Sequence, residues 1–156
     1  MLFNKKTSPR ALAGLLLVAC LSHAEEPSDK PIGYVMKVSG EAFVVTDGVA
    51  RPASVGMPLQ VGSSLRTGPA GTLGVTFEDS TLMSFGPNSE LKVDEYLYEP
   101  AKGDLKLNAN ISRGTLNYIS GVIAKLKPEA VEVHTPTGTI GVRGTHFLVK
   151  VEEAGR

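Results

Sequence analysis

Residues 131–149, VEVHTPTGTIGVRGTHFLV, hold the densest polar chemistry of this chain. His134 and His146 are potential metal ligands or bases, and Arg143 is a potential anion anchor. Gly138, Gly141 and Gly144, followed by Thr145, invite comparison with a phosphate loop. Each possibility has a geometric requirement. A P-loop needs G-x-x-x-x-G-K-[ST], with a lysine reaching the phosphates and a helix following. Here the spacing is G-x-x-G-x-x-G, the cation precedes the last glycine, and HFLVKVEE continues as a strand. The dinucleotide fingerprint fails for the same reasons. Two histidines twelve positions apart face each other if their strands form one hairpin, but a tight zinc site then needs a third ligand from Glu132 or another carboxylate, and nothing fixes that spacing. No G-x-S-x-G elbow is present. The adjacent carboxylates Glu78-Asp79 and Asp94-Glu95 alternate faces on a strand and are expected as turn and surface charges. The sequence therefore predicts no catalytic residue, no metal site and no cofactor. Arg143 is expected to brace the loop by bonding carbonyls or a carboxylate, and the three glycines to supply left-handed or close-packed backbone.

The elements that would position these residues are short and strand-like. AFVVT (Ala42 to Thr46) is followed by the tight-turn pair Asp47-Gly48. Leu73, Val75 and Phe77 alternate with smaller or polar residues. So do Leu105, Leu107, Ala109 and Ile111, then Val131 and Val133, then Phe147, Val149 and Val151. The segment Thr115 to Ala130 is the likeliest candidate for a helix or irregular insert, with Leu116, Ile119, Ile123 and Leu126 near helical spacing and Gly121 and Pro128 interrupting, while Tyr118 with Ile119 fits a strand equally well. With 17 Gly and 10 Pro among many short strands, the predicted class is all-β, a compact sandwich or a short solenoid-like roll with glycine-rich turns.

The chain has 156 residues and begins with Lys5, Lys6 and Arg10 ahead of the apolar run Ala11 to Leu21. Ser22-His23-Ala24 then places small residues at the −3 and −1 positions, so residues 1–24 are expected to be a cleavable signal peptide. The apolar run is too short to span a bilayer, which takes about 20 residues. Leu17-Val18-Ala19-Cys20 also fits a bacterial lipoprotein signal, in which Cys20 would carry a lipid anchor. Residues 25–32 are expected to be a disordered leader and 33–153 the folded domain. Removal of Lys5, Lys6 and Arg10 leaves 13 Lys+Arg of the original 16 against 16 Asp+Glu, a net charge of −3. No basic block remains for nucleic acid. Cys20 is the only cysteine, so disulfides and thiol chemistry are excluded from the domain.

These residues resemble the FecR domain family. Thr135-Pro136 followed by Gly141-Val142-Arg143-Gly144-Thr145 is similar to its terminal signature, in which Gly138 sits between. LQVGSSLRTGPAGTLGVTFEDSTLMSFGPNSEL is similar to its middle pattern, with Thr67-Gly68, an Asp-led turn and Pro87, Ser89 and Leu91. The opening GYVMKVSGEAFV resembles its strand–Gly–strand start. The resemblance implies an extracytoplasmic all-β domain that binds a protein or cell-envelope component, in a periplasmic or secreted setting. In the iron-uptake regulators for which the family is named, this domain is the periplasmic part of a transmembrane anti-sigma protein. This sequence shows no sigma-binding segment ahead of its hydrophobic stretch and stops at Arg156, so a direct regulator role is not expected. An accessory role beside a separate transmembrane sensor is the alternative.

Overall fold

The computed structural model describes residues 30–144 and 146–153. The expected signal peptide, the lipidation candidate Cys20 and the leader up to residue 29 lie outside the described residues, as does Thr145. The fold is all-β, with 59% of the described residues in strands curled into a half-barrel. Its strands are β1 (Gly33–Ser39), β2 (Ala42–Thr46), β3 (Val49–Pro52), β4 (Pro58–Leu59), β5 (Ser64–Thr67), β6 (Thr72–Phe77), β7 (Leu82–Phe85), β8 (Glu90–Glu99), β9 (Asp104–Ile119), β10 (Val131–Thr135), β11 (Gly138–Gly141) and β12 (His146–Val151).

The strand order is β3-β2-β5-β8-β9-β7-β6-β1-β4, with β10 and β12 added along β9 and β11 on β10. Strand β9 joins the two halves of the sheet. Its first part lies between antiparallel β8 and parallel β10, and its last part between antiparallel β7 and β12. The changeover falls at Gly114, whose φ is +90°, and a Cβ there would lie 2.4 Å from the Cα of Ser89. Only glycine can occupy such a backbone conformation at so close an approach.

The period-2 rows read from the sequence are the core. Leu73, Val75, Phe77, Leu107, Ala109, Ile111, Val131 and Val133 are all buried in one cluster. Removing such alternating rows from water is the main favourable contribution to a sheet that is wet on its other face. Asp47 and Gly48 form the left-handed turn between β2 and β3. Two expectations need correction. The helix candidate Thr115 to Ala130 is strand through Ile119. Only Val122–Leu126 (α1) is helical, followed by a single 3-10 turn at Pro128–Ala130. Tyr118 explains the change, since it is fully buried and stacks on Phe147 of β12 with ring centroids 4.7 Å apart. The last residues of the expected leader are also tied down. Ile32 is buried and exchanges hydrogen bonds with Leu59 and Glu78, while Lys30 pairs with Glu78 at 2.8 Å.

Candidate interaction surface

Most of the chain's polar side chains that are buried serve as braces. The row Leu73, Val75, Phe77 continues in phase through Asp79 and Thr81 to Met83 and Phe85, so both polar residues point into the core. Asp79 is fully buried, which corrects its expectation as a surface charge. Its Oδ1 accepts hydrogen bonds from the Tyr96 hydroxyl (3.1 Å) and the Thr81 N–H (3.2 Å). Its Oδ2 accepts from the Thr81 hydroxyl (2.8 Å) and the Ile123 N–H (3.1 Å). The Asp79 N–H in turn donates to the Tyr96 oxygen (2.9 Å), and its carbonyl accepts from the Val122 N–H (2.8 Å). Four donors on one carboxylate meet the requirement that a buried charge be compensated. They fasten α1 to the β6–β7 turn. Gly121 makes this possible, because a Cβ there would sit 2.3 Å from the Thr81 nitrogen. Burial, reinforced by the Asp79 charge, holds the Tyr96 phenol far above its ordinary range. Burial, with a smaller contribution from the Asp79 charge, pushes Tyr118 up to about 12.

A second brace gathers Thr67, Ser89 and the bend of β9. The Thr67 hydroxyl donates to the Gly86 carbonyl (2.6 Å) and accepts from the Ser89 N–H (2.9 Å). The Ser89 hydroxyl donates to the same carbonyl (2.8 Å) and accepts from the Thr115 N–H (2.9 Å). Residues of the motif Thr67-Gly68…Pro87-x-Ser89-x-Leu91 therefore hold a turn against the joint of the two half-sheets.

The terminal signature is placed differently from expectation. Thr135 and Pro136 open the β10–β11 hairpin, where Thr135 Oγ1 accepts from the Gly138 N–H at 3.1 Å and donates to the Gly138 carbonyl at 3.0 Å. Gly138 and Gly141 have open space where a Cβ would stand, and Gly144 meets nothing closer than 3.9 Å. None of the three has a left-handed φ, so the steric reason expected for them is absent. Val142 alone is buried. Arg143 is exposed and makes no hydrogen bond or ion pair with any described residue, which overturns its reading as a brace. It borders a surface hollow with Pro128 and Glu129.

The histidines do not meet. His134 is aligned with Asn110 of β9 and His146 with Ile119. Nine residues of strand separate them, up to roughly 30 Å. His134 lies 2.8 Å from Thr139 Oγ1 and 3.5 Å from Glu132, and His146 contacts the Asn117 side chain. Among the described residues no three His, Cys, Asp or Glu side chains converge as a metal site.

What the sheet leaves open is its outer face around β1, β6, β7, β9 and β12. An open groove of about 570 Å³ runs there, with Gly74, Ser84 and Gly86 in its lining, Met36 and Leu148 at its sides and Lys37 as its only charged residue. A β-bulge opposite Val75 and Gly74 leaves Met36 without a strand partner, and bulges re-aim side chains in this way. Met36 is 53% exposed and Leu148 70% exposed. No sequence expectation covered this groove. Its signal was Gly74 and Ser84 in the outward phase of otherwise bulky strands.

Among the described residues no helix is long and apolar enough to cross a membrane. No curated protein and no solved structure matches the chain. The family described as FecR protein matches residues 63–156, from the turn before β5 to the end. With more than half its length matched, and with its motifs forming the joints of the sheet, the chain belongs to the FecR family.

Proposed function

We propose that this chain is a non-enzymatic, extracytoplasmic FecR-family module that binds a protein of the cell envelope through the outer face of its sheet. The carrying observation is the groove between Met36 and Leu148. Two large apolar side chains stand exposed above a floor of glycine and serine, with Lys37 the single charge at the rim. Exposed apolar surface beside small residues suits an extended peptide segment. The occupant is such a segment with apolar side chains and one carboxylate for Lys37. Arg143, exposed and unpartnered among the described residues, supplies a second anchor for an acidic partner.

Site-specific photo-crosslinking in intact cells tests this reading. Probes at Met36 and Leu148 should yield one discrete protein adduct, and a probe at Asn110 should not. Equal labelling at all three, or none at the groove, would refute it. Family membership also favours a signalling setting, with the module serving a separate transmembrane sensor. In that case the adduct is a membrane protein. The site of export is tested by intact mass: a mature chain beginning at Glu25 supports signal cleavage after Ala24, whereas a lipidated chain beginning at Cys20 supports anchoring.

A further inference from the structure

The sheet has several strands that pair on one side only, and they differ in how well their free edges are protected. Strand β3 is short and ends in Pro52 beside Arg51. Strand β4 is two residues long and begins with Pro58. Strand β11 is four residues long and starts and ends with glycine. Very short strands, proline and charged side chains are the usual means of blunting an edge. Strand β12 is six residues long without proline, and its one lysine, Lys150, is paired with Glu152. His146–Val151 contains no proline or glycine, and its register with β9 is unbroken from His146↔Ile119 to Val151↔Gly114. Among the described residues nothing pairs with its other edge. Its inward row, Phe147, Val149 and Val151, packs against the core yet stays only half-buried.

We propose that the free edge of β12 pairs antiparallel with β12 of a second copy of this chain, about a two-fold axis at Val149. The side chains select both partner and register. A two-fold at Val149 sets Phe147 opposite Val151 of the second copy, so the whole half-buried row is matched apolar to apolar. On the outer face it sets Leu148 opposite Lys150 and His146 opposite Glu152. Moving the axis by one residue toward the C-terminus puts Lys150 against Lys150. Moving it by one toward the N-terminus puts Lys150 against His146. Like charges directly opposite destabilise a strand pair, which disfavours the first shift, and the second takes Val151 away from Phe147, so of these three axes the one at Val149 keeps the apolar row matched. Glu152, just past the end of the strand, also holds Lys150 at 3.0 Å, which keeps both charges in place for the second copy. Pairing would join the two curled sheets edge to edge and bring the two outer-face grooves, each bordered by Leu148, to the same side of one continuous surface. The two readings share Leu148, which lines the groove and faces Lys150 of the second copy, so a self-adduct at Leu148 reports pairing and an adduct to a different protein reports the partner.

The test uses the chain as exported and purified. Light scattering over a concentration series should show a reversible monomer–dimer equilibrium. Val149→Cys should form a covalent dimer under a mild oxidant, since directly opposite Cα atoms in a ladder lie about 4.5–5.5 Å apart, within disulfide reach. Lys150→Cys, diagonal across this axis, should cross-link far more slowly, and the parent chain under the same oxidant reports any contribution from Cys20. Glu152→Lys should weaken the dimer roughly tenfold, because it removes the partner of Lys150 and leaves two lysines on each of the paired edges. Glu152 is exposed, so folding should survive, as circular dichroism would verify. A chain that stays monomeric at the highest soluble concentration, with no Val149→Cys cross-link, overturns the proposal. So does a dimer that cross-links equally well at both positions, or one that Glu152→Lys leaves unchanged.

Discussion

Replacing Asp79 with asparagine tests whether the β6–β7 turn and α1 are held by one buried carboxylate. Asparagine keeps the volume but turns one acceptor oxygen into an NH2 group. Whichever oxygen is replaced, two of the four donors that face the carboxylate then face another donor: Tyr96 and the Thr81 N–H on one side, or the Thr81 hydroxyl and the Ile123 N–H on the other. Hydrogen bonds to a charged group contribute about 1.5–3 kcal/mol each. Losing two gives roughly 3–5 kcal/mol, the range for breaking a buried charged network. For a domain of this size that corresponds to a fall in Tm of about 10–20 °C. Thermal unfolding followed by circular dichroism at neutral pH measures it. Amide exchange locates it, since protection should drop first at Ile123 and Gly121. Tyr96→Phe should cost less, about 1–3 kcal/mol, because it orphans only the Asp79 N–H and removes one donor while the ring stays stacked on Phe77. A Tm within about 3 °C of the parent for Asp79→Asn, or a larger loss for Tyr96→Phe, would refute the reasoning.

The glycines give a paired contrast in melting temperature. Gly121→Ala drives a methyl to 2.3 Å from the Thr81 nitrogen and should destabilise by about 2–4 kcal/mol, whereas Gly138→Ala meets nothing within 4 Å and should be neutral or stabilise by up to about 1 kcal/mol. Arg143→Ala should change stability by no more than about 0.5 kcal/mol, as an exposed side chain outside any network does, and should weaken groove-dependent crosslinking. Ser89→Ala leaves the Thr115 N–H unpaired and should cost about 1–3 kcal/mol in denaturant titration. Alkaline stability should fall between the ordinary tyrosine value near 10 and about 12. The folded Tyr118 pKa is raised, so its contribution is complete below the unfolded pKa and lost as pH rises through the folded one. Phenolate absorbance from Tyr96 and Tyr118 should therefore appear together with loss of the far-ultraviolet signal, and Tyr118→Phe should shift that transition upward.

Alternation of apolar and polar residues was enough to locate β6, β10, β12 and the first part of β9, because a sheet with one wet face must alternate, and the Asp47-Gly48 turn marked the end of β2. The segment after Gly114 was not legible. Leu116, Ile119, Ile123 and Leu126 satisfy helical spacing as well as strand spacing does, and only the stacking of Tyr118 on Phe147, a contact across 29 positions, decides for the strand. The roles of Arg143 and Asp79 were each read the wrong way round from residue type alone. Arginine among turn-formers was expected to brace and is exposed. Aspartate in a turn was expected to be solvated and is buried. Phase was the better guide for the second. Asp79 and Thr81 lie in step with Phe77 and Met83, and a polar pair in a buried phase requires a reciprocal partner. The groove was illegible for a topological reason, since Met36, Gly74, Ser84 and Leu148 come together only when β1 and β12 lie on either side of β6, β7 and the end of β9.

The family motifs then divide by their location. Thr67, Ser89 and the Asp79 turn close on buried hydrogen bonds, and their side chains are spent on holding two half-sheets and α1 in register. Such residues fix a scaffold and leave no capacity for a ligand, because each donor and acceptor already has its partner. The terminal signature is the reverse. Beyond Val142 it contributes little to the core, its described glycines have room for side chains, and Arg143 is held by nothing among the described residues. It leads directly into β12, the edge with the least protection, and Leu148 of that strand borders the groove. On the proposed reading, the described residues of this segment serve association rather than folding. Substitutions there should separate from those at Asp79 and Ser89 in kind: the first group should change association and leave melting unchanged, and the second should change melting first.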